Sequence, residues 1–309
     1  MRFVWLIGQP DEWMGWFLIA FAACSAVVGA LDTVGQRDLK RLLGYSSTEN
    51  VGIAGIGFGV GCLGLAWGNA TLVALGFAGG LTHVLNHAFF ECQLFYAAGA
   101  VYQSTHTVIE ELGGLARRMP RTALAFLTGG IAISALPLLN GFTSEFTIYS
   151  GLFTQAAIPV AAKVGLVLAG VALAFVGAVS ALGITRAFGV AFLGSPREAA
   201  PTVPVEVSRW MLVPMGAHAL GVILLGVAPA LGFLMVQGPV DIGMALVPGA
   251  DHSVLAALSE TLTRVGAISG GLVLTVVLLV WLRGRLSAQW RATRVPWGCG
   301  YGSPNARMR

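Results

Sequence analysis

The sequence predicts an all-α integral membrane protein with about eight transmembrane helices. Three observations lead to this fold class: only 10% of the 309 residues are charged, 56% are hydrophobic, and the mean hydropathy is +0.79. A soluble domain carries about 25% charged residues, so this chain has too little polar surface to cover a water-facing protein of its size. The net charge of +4 is spread thinly and gives no indication of a nucleic-acid partner.

Apolar segments suited to crossing a bilayer recur along the chain. A spanning helix needs about 20 mostly apolar residues, because lipid offers no hydrogen-bonding partner to the backbone. The third segment is too long for one upright helix, so we expect it to be tilted or to start near Gly79. The predicted spans are 13–34, 50–67, 72–101, 123–139, 142–160, 164–193, 210–236 and 265–282.

The fifth segment differs from the others because it is polar. It contains Glu145 among several hydroxyl side chains, and it follows Pro137, Asn140 and Gly141. Proline and glycine interrupt helices, and an interrupted helix is tolerated in a membrane only where protein surrounds it. We therefore predict a broken helix near 137–145.

Ionisable residues inside apolar segments are functional candidates by default. The first group is Asp32, Gln36 and Lys40, which share one face at four-residue spacing if the helix continues through them. The alternative is a loop, in which Lys40 and its charged neighbours lie at the lipid headgroups. Both interpretations stay open for Lys40.

The second group is His83, His87 and Glu91, which follow one another at four-residue spacing within an apolar run. Two histidines and a carboxylate can bind zinc, but no further ligand follows and the HExxH order is absent, so we predict no metal site. A set of buried groups that only satisfy one another is the simplest alternative. Because imidazole changes charge near neutral pH, the trio is better suited to passing protons.

Glu145 is the third candidate, since its carboxylate follows the predicted helix break. A capping role is equally compatible with the sequence, because Thr143 and Ser144 precede Glu145 as capping residues do. His218 stands alone on an apolar face and is expected to be a packing residue. The secondary candidates for proton transfer are Asp32, Glu49, Lys163 and Arg186. Glu49 also suits a cap of the second span, and Lys163 suits a headgroup position.

Three long stretches together resemble the antiporter-like membrane subunits of respiratory complex I and of membrane-bound [NiFe] hydrogenases. They are QRDLKRLLGYSSTENVGI, LTHVLNHAFFECQLFYAAGAV and LGGLARRMPRTALAFLTGGIAISALPLLNGFTSEFTIYSGLF. ITRAFGVAFLGSPRE and PWGCGY are similar to the formate hydrogenlyase and hydrogenase 4 branch. The likeness covers nearly the whole chain.

The resemblance implies two inverted five-helix repeats with buried charges along the membrane midplane, of which this chain holds the second repeat. Lys40 then matches the lysine that links the repeats, His83 and His87 match histidines of the next conduit helix, and Glu145 matches the broken-helix charge. Glu91 departs from the pattern, since many relatives have lysine there. The implied organisation is a short N-terminal segment (1–13), a partial proton-translocating repeat (14–194), two further transmembrane helices (195–282) and a basic, truncated tail (283–309).

The resemblance implies a multi-pass subunit of a redox-driven complex in the cell membrane. Its implied function is to move protons or Na⁺ through Lys40, His83, His87, Glu91 and Glu145. No cofactor is expected in this chain, and nickel-iron and iron-sulfur centres are expected in partner subunits. The partners implied are other membrane subunits, a peripheral hydrogenase or dehydrogenase arm, and lipid. The alternatives are a complex I subunit, a stand-alone or multisubunit cation/proton antiporter, and a non-transporting assembly protein.

Overall fold

The computed structural model describes residue 6 and residues 9–153, 158–194 and 203–286, and these residues are almost entirely helical. Within them, the β interactions are limited to one isolated bridge between Asp38 and Val108. The helices are α1 (Glu12–Gly35), α2 (Leu39–Ala66), α3 (Ala70–Ser104), α4 (Leu115–Arg118), α5 (Pro120–Ile133), α6 (Asn140–Leu152), α7 (Val160–Phe192), α8 (Arg209–Val227), α9 (Pro229–Met244) and α10 (Ser253–Leu286).

Six of these helices are long and apolar enough to cross a membrane, namely α1, α2, α3, α7, α8 and α10. The predicted count of about eight is therefore not reached by single helices in the described part of the chain. Two predicted spans, 123–139 and 142–160, correspond to the shorter helices α5 and α6. A third, 210–236, is divided between α8 and α9, because Pro229 disfavours a helical conformation at the residue before it.

The predicted helix break is confirmed, and it lies at residues 134–139. Helix α5 ends at Ile133, Ala135 adopts a left-handed conformation with φ of 48°, and α6 begins at Asn140 after Pro137. The third predicted span does not begin near Gly79. Helix α3 starts at Ala70 and runs for 35 residues, about 52 Å at 1.5 Å per residue, so a tilt fits its length.

Helix α3 is the centre of the fold, since it packs against α2, α5, α6, α8, α9 and α10. Its contact with α2 is close because glycines face each other along both helices. A Cβ atom at Gly57 would lie 2.8 Å from the backbone nitrogen of Gly80 and 2.9 Å from its Cα. Any side chain at Gly57 would therefore force α2 and α3 apart.

Arg186 of α7 ties three segments together at one end of the bundle. Its guanidinium donates hydrogen bonds to the backbone carbonyls of Val34 and Gln36 at the end of α1, and it lies 3.2 Å from the Glu110 carboxylate. The arginine thereby pairs carbonyls that the end of α1 leaves without helical partners. This contact supports a structural role for Arg186.

We predict that Gly57→Ala lowers the free energy of unfolding by about 1–3 kcal/mol, because the added Cβ meets the Gly80 backbone, which cannot move aside. Gly99→Ala is the matched control. Gly99 is also helical and has no atom within 4 Å of an added Cβ, so we expect a gain of about 0.5–1 kcal/mol. Denaturant titration of both variants in mild detergent measures the difference. Equal effects would contradict the close approach of α2 and α3.

Candidate functional site

A stripe of polar side chains runs along α3 and is covered by neighbouring helices. His83, Asn86 and Glu91 are buried, and His87 is partly buried. The four-residue spacing of His83, His87 and Glu91 places them on one face, as the sequence predicts. That face points toward α2 and α6. Both helices carry polar side chains that contact it, and these contacts are described below.

Glu91 is held by hydroxyl groups of α2. Its Oε1 accepts hydrogen bonds of 2.9 Å from Ser46 and 2.8 Å from Ser47. Its Oε2 lies 3.7 Å from Nε2 of His87, which is too long for a hydrogen bond but close enough for an ion pair when the ring is protonated. Glu91 is thus at the α2–α3 interface, one helical turn after His87.

His83 connects α2 to α6. Its Nδ1 lies 3.0 Å from the Ser144 hydroxyl oxygen on α6, and its Nε2 lies 3.2 Å from Oδ1 of Asn50 on α2. Asn50 in turn donates from Nδ2 to the Ser46 carbonyl at 2.8 Å. A continuous set of contacts therefore runs from Glu91 through Ser46, Asn50 and His83 to Ser144.

Asn86 fixes the start of α6 beside this set. Its Nδ2 donates to the Asn140 carbonyl at 2.7 Å, and Nδ2 of Asn140 donates to the Asn86 carbonyl at 3.3 Å. These two hydrogen bonds join the first residue of α6 to α3 beside the helix break.

Glu145 follows Ser144 on α6 and is buried, with 5% of its surface exposed. The residue before α6, Leu139, receives no side-chain capping bond, and Glu145 lies beyond the first turn. The structure thus supports the interpretation of Glu145 as a buried ionisable group over its interpretation as a cap.

Glu49 is more deeply placed than the sequence suggests. The sequence alone suits Glu49 to a cap of the second span, but α2 begins ten residues earlier, at Leu39, so Glu49 lies inside the helix. The side chain is fully buried, and among the described residues neither carboxylate oxygen has a hydrogen-bond partner. Ser180 of α7 lies next to it without a bond of normal geometry. The burial of this ionisable group is therefore not explained by hydrogen bonds to its neighbours.

Lys40 does not share a face with Asp32 and Gln36, because α1 ends at Gly35 and α2 starts at Leu39. The Lys40 side chain is exposed, and its ammonium nitrogen lies 3.3 Å from the centre of the Tyr102 ring. Lys40 thus lies in the first turn of α2, directly after the short connection at 36–38, so neither interpretation fits it completely. The role of Lys40 in transport stays a prediction.

The remaining candidates lie away from the buried stripe. Asp32 and Lys163 are exposed, as a headgroup position for Lys163 predicts. His218 packs on the rings of Phe89 and Tyr96, which is the packing role expected of it. No group of three His, Cys, Asp or Glu side chains arranged to hold a metal occurs among the described residues.

Four partners of the candidate residues were not identified from the sequence: Ser46, Ser47, Asn50 and Ser144. The prediction started the second span at residue 50, which left Ser46 and Ser47 in a loop. The polar stretch YSSTEN between apolar runs is the signal that could have revealed them, because polar residues within a spanning helix face protein.

Comparison with known families and proteins gives matches over most of the chain. The family described as NADH:quinone oxidoreductase/Mrp antiporter, TM, matches residues 1–170, which contain every residue of the buried stripe. Hydrogenase-4 component B of Escherichia coli (strain K12) is 36% identical over 308 residues, covering 95% of this chain and 45% of that protein. Formate hydrogenlyase subunit 3 of the same strain is 33% identical over 301 residues, covering 95% and 47%. The chain thus spans about half the length of the curated relatives it matches.

Solved structures share the fold. A chain of the membrane-bound sulfane sulfur reductase, an archaeal respiratory membrane complex, matches 74% of this chain and 35% of its own length, with a TM-score of 0.62 and 23% identity. A chain of respiratory complex I from Thermus thermophilus with bound NADH matches 77% and 44%, with a TM-score of 0.59 and 24% identity. The helical arrangement described above therefore recurs in respiratory membrane complexes.

Asp38, next to Lys40, caps α2 and gives a pH-dependent prediction. Burial raises the pKa of Asp38, but hydrogen bonds from the Thr107 hydroxyl and from the backbone N–H groups of Arg41 and Lys40 outweigh burial and hold the pKa below its usual 3.8. The ionised cap therefore stabilises the fold at neutral pH. This contribution is lost as pH falls through the lowered pKa.

We expect Asp38→Ala to lower the free energy of unfolding by about 1 kcal/mol at neutral pH and by progressively less below about pH 4. Asp11→Ala is the control, since Asp11 precedes α1 without making a side-chain capping bond. Unfolding titrations between neutral and acidic pH measure both variants. A loss that is the same for both, or that does not change with pH, would be inconsistent with the charged cap.

Proposed function

Because this chain belongs to the NADH:quinone oxidoreductase/Mrp antiporter membrane family, we propose that it forms part of the proton path of a redox-driven membrane complex. The resemblance found in the sequence is confirmed by this membership and by the two hydrogenase-related proteins of Escherichia coli. In the proposal, the complex is a membrane-bound hydrogenase of the hydrogenase-4 or formate hydrogenlyase type. Electron transfer in its other subunits drives protons through this chain.

One observation carries the proposal: three carboxylates and two histidines lie in the membrane-spanning part of the fold. The three buried carboxylates lie on three helices that pack together: Glu49 on α2, Glu91 on α3 and Glu145 on α6. The two histidines, His83 and His87, lie on α3. Burying so many ionisable groups in a bilayer is costly, and it is usual where ions or protons move. Imidazole and carboxyl groups both gain and lose protons, so the set supports stepwise proton transfer.

The residues proposed to exchange protons are His83, His87, Glu91 and Glu145, with Glu49 as an additional site. Lys40 contacts none of these side chains in the structure, and we propose that it acts at the membrane surface. Electron-carrying centres belong to partner subunits in this proposal. The partners are further membrane subunits and a peripheral hydrogenase arm.

A second candidate function is cation/proton antiport without a redox partner, which the family description itself includes. Affinity purification from native membranes followed by mass spectrometry separates the two. Recovery of hydrogenase subunits supports the redox-driven complex. Recovery with small membrane subunits alone supports the antiporter and contradicts the first proposal.

We predict that Glu145→Gln in the assembled complex reduces proton transfer by about 100-fold while electron transfer continues, because glutamine fills the same space but cannot exchange a proton. The measurement is the number of protons moved per electron in native membrane vesicles, with hydrogen, formate and NADH tested singly as donors. Lys40→Ala in the same assay tests the predicted role of Lys40: a loss of proton transfer supports that role, and an unchanged number of protons per electron contradicts it.

Glu260→Gln is the matched control for Glu145→Gln. Glu260 is an exposed carboxylate on α10 that pairs with Arg264 at 2.5 Å, outside the buried stripe. We expect this variant to move the same number of protons per electron as the wild type. An unchanged proton-to-electron ratio in Glu145→Gln would remove Glu145 from the path.

A further inference from the structure

The orientation of the Asn50 side chain is fixed by its neighbours. Nδ2 of Asn50 lies 2.8 Å from the Ser46 carbonyl oxygen, which can only accept a hydrogen bond. Turning the amide over would set two acceptor oxygens against each other at that distance. Oδ1 of Asn50 must therefore be the atom that faces His83.

This orientation selects the tautomer of His83. Nε2 of His83 lies 3.2 Å from Oδ1 of Asn50, and an amide oxygen offers no hydrogen, so the proton of this contact must be on Nε2. A neutral ring with its proton on Nδ1 would instead direct the Nε2 lone pair at Oδ1. Because His83 and Asn50 are both about 1% exposed, water cannot compensate for that repulsion cheaply.

The other ring nitrogen meets a group that adapts to either protonation state. Nδ1 lies 3.0 Å from the Ser144 hydroxyl oxygen, and that hydroxyl also lies 2.9 Å from the Gly141 carbonyl oxygen. A hydroxyl both donates and accepts, so Ser144 can donate to a bare Nδ1, or accept from a protonated Nδ1 while donating to Gly141. The two sides of the His83 ring are therefore unequal.

We propose that Asn50 is a positioning residue that locks a proton on Nε2 of His83, so that His83 exchanges protons only through Nδ1, on the side of Ser144 and the broken helix. The transport consequence rests on the proposed function. In the neutral ring, Ser144 donates to Nδ1. When a neighbouring proton donor, a carboxylic acid or a water molecule, gives one proton to Nδ1, the ring becomes an imidazolium and the Ser144 hydroxyl turns to Gly141. When Nδ1 returns that proton to a carboxylate or to water, the hydroxyl turns back and donates to Nδ1 again.

A second consequence concerns the path between Glu91 and His83. The contacts from Glu91 through Ser46 and Asn50 reach His83, but the last of them ends at an amide oxygen that carries no exchangeable proton. Protons therefore do not pass from α2 to His83 through Asn50. Exchange with Glu91 is left to His87, whose Nε2 lies 3.7 Å from the Glu91 carboxylate.

The test is magic-angle-spinning NMR of the full chain in lipid bilayers, with ¹⁵N in its histidines. The chain has five histidines, so subtracting the spectrum of His83→Gln isolates the His83 signals. We expect a protonated Nε2 and an unprotonated Nδ1 at neutral pH. Asn50→Leu should give a mixture of tautomers. Asn50→Asp keeps an acceptor oxygen facing Nε2 and, with a proton on its other oxygen, still donates to the Ser46 carbonyl, so it should retain the proton on Nε2.

Unchanged signals from the other four histidines show that each variant has folded. A proton on Nδ1 of neutral His83 in the wild type, or an unaltered tautomer in Asn50→Leu, would overturn the inference. Neither result depends on transport.

Proton transfer in native vesicles gives the second measurement. We expect Asn50→Leu to lower the rate of proton transfer by about tenfold or more and Asn50→Asp to lower it less. We expect Ser144→Thr to transfer protons faster than Ser144→Ala, because threonine keeps the hydroxyl. If the tautomer changes in Asn50→Leu and transport does not, the positioning role fails while the path through Glu145 stands. If Glu145→Gln alone transports normally, Glu145 is removed from the proposed path and the tautomer result is unaffected.

Discussion

Lipid cannot form hydrogen bonds, and this constraint determines the arrangement of the described helices. The polar stripe of α3 must face protein, so α3 is the central helix and the apolar faces of α1, α7 and α10 are left on the outside. The close contact of α2 with α3 follows from the same requirement. Facing glycines such as Gly57 and Gly80 bring the backbones near enough for Ser46, Ser47 and Asn50 to reach the side chains of α3.

The sequence predicted the parts of this arrangement that depend on local pattern. The apolar runs gave the long helices, the four-residue spacing gave the common face of His83, His87 and Glu91, and Pro137 gave the break before α6. The partners of the stripe could not be predicted, because the contacts of Ser46 with Glu91 and of Ser144 with His83 join residues that are 45 and 61 positions apart. The start of α2 was also predicted too late, at residue 50. Polar residues such as Ser46 and Glu49 resemble a loop in the sequence, although they belong to a buried helix.

Contact along a hydrogen-bonded set does not by itself make a proton path. Hydroxyl, imidazole and carboxyl groups exchange protons, whereas an amide only donates or accepts. Asn50 lies between Glu91 and His83. Its hydrogen bonds connect the two residues, but its amide group does not pass a proton from one to the other. A row of polar residues in a membrane protein therefore has to be examined atom by atom before a direction of transfer is assigned to it.

The contact between His83 and Ser144 depends in turn on the position of the broken helix. Asn86 lies one turn after His83 on α3, and it exchanges two hydrogen bonds with Asn140 at the first residue of α6. Because Ser144 lies one turn after Asn140, this pair sets the height of Ser144 relative to His83. A shift of α6 along its axis by a single residue, about 1.5 Å, would break the 3.0 Å contact at Nδ1. The helix break thus ties the Nδ1 contact of His83 to the position of α6.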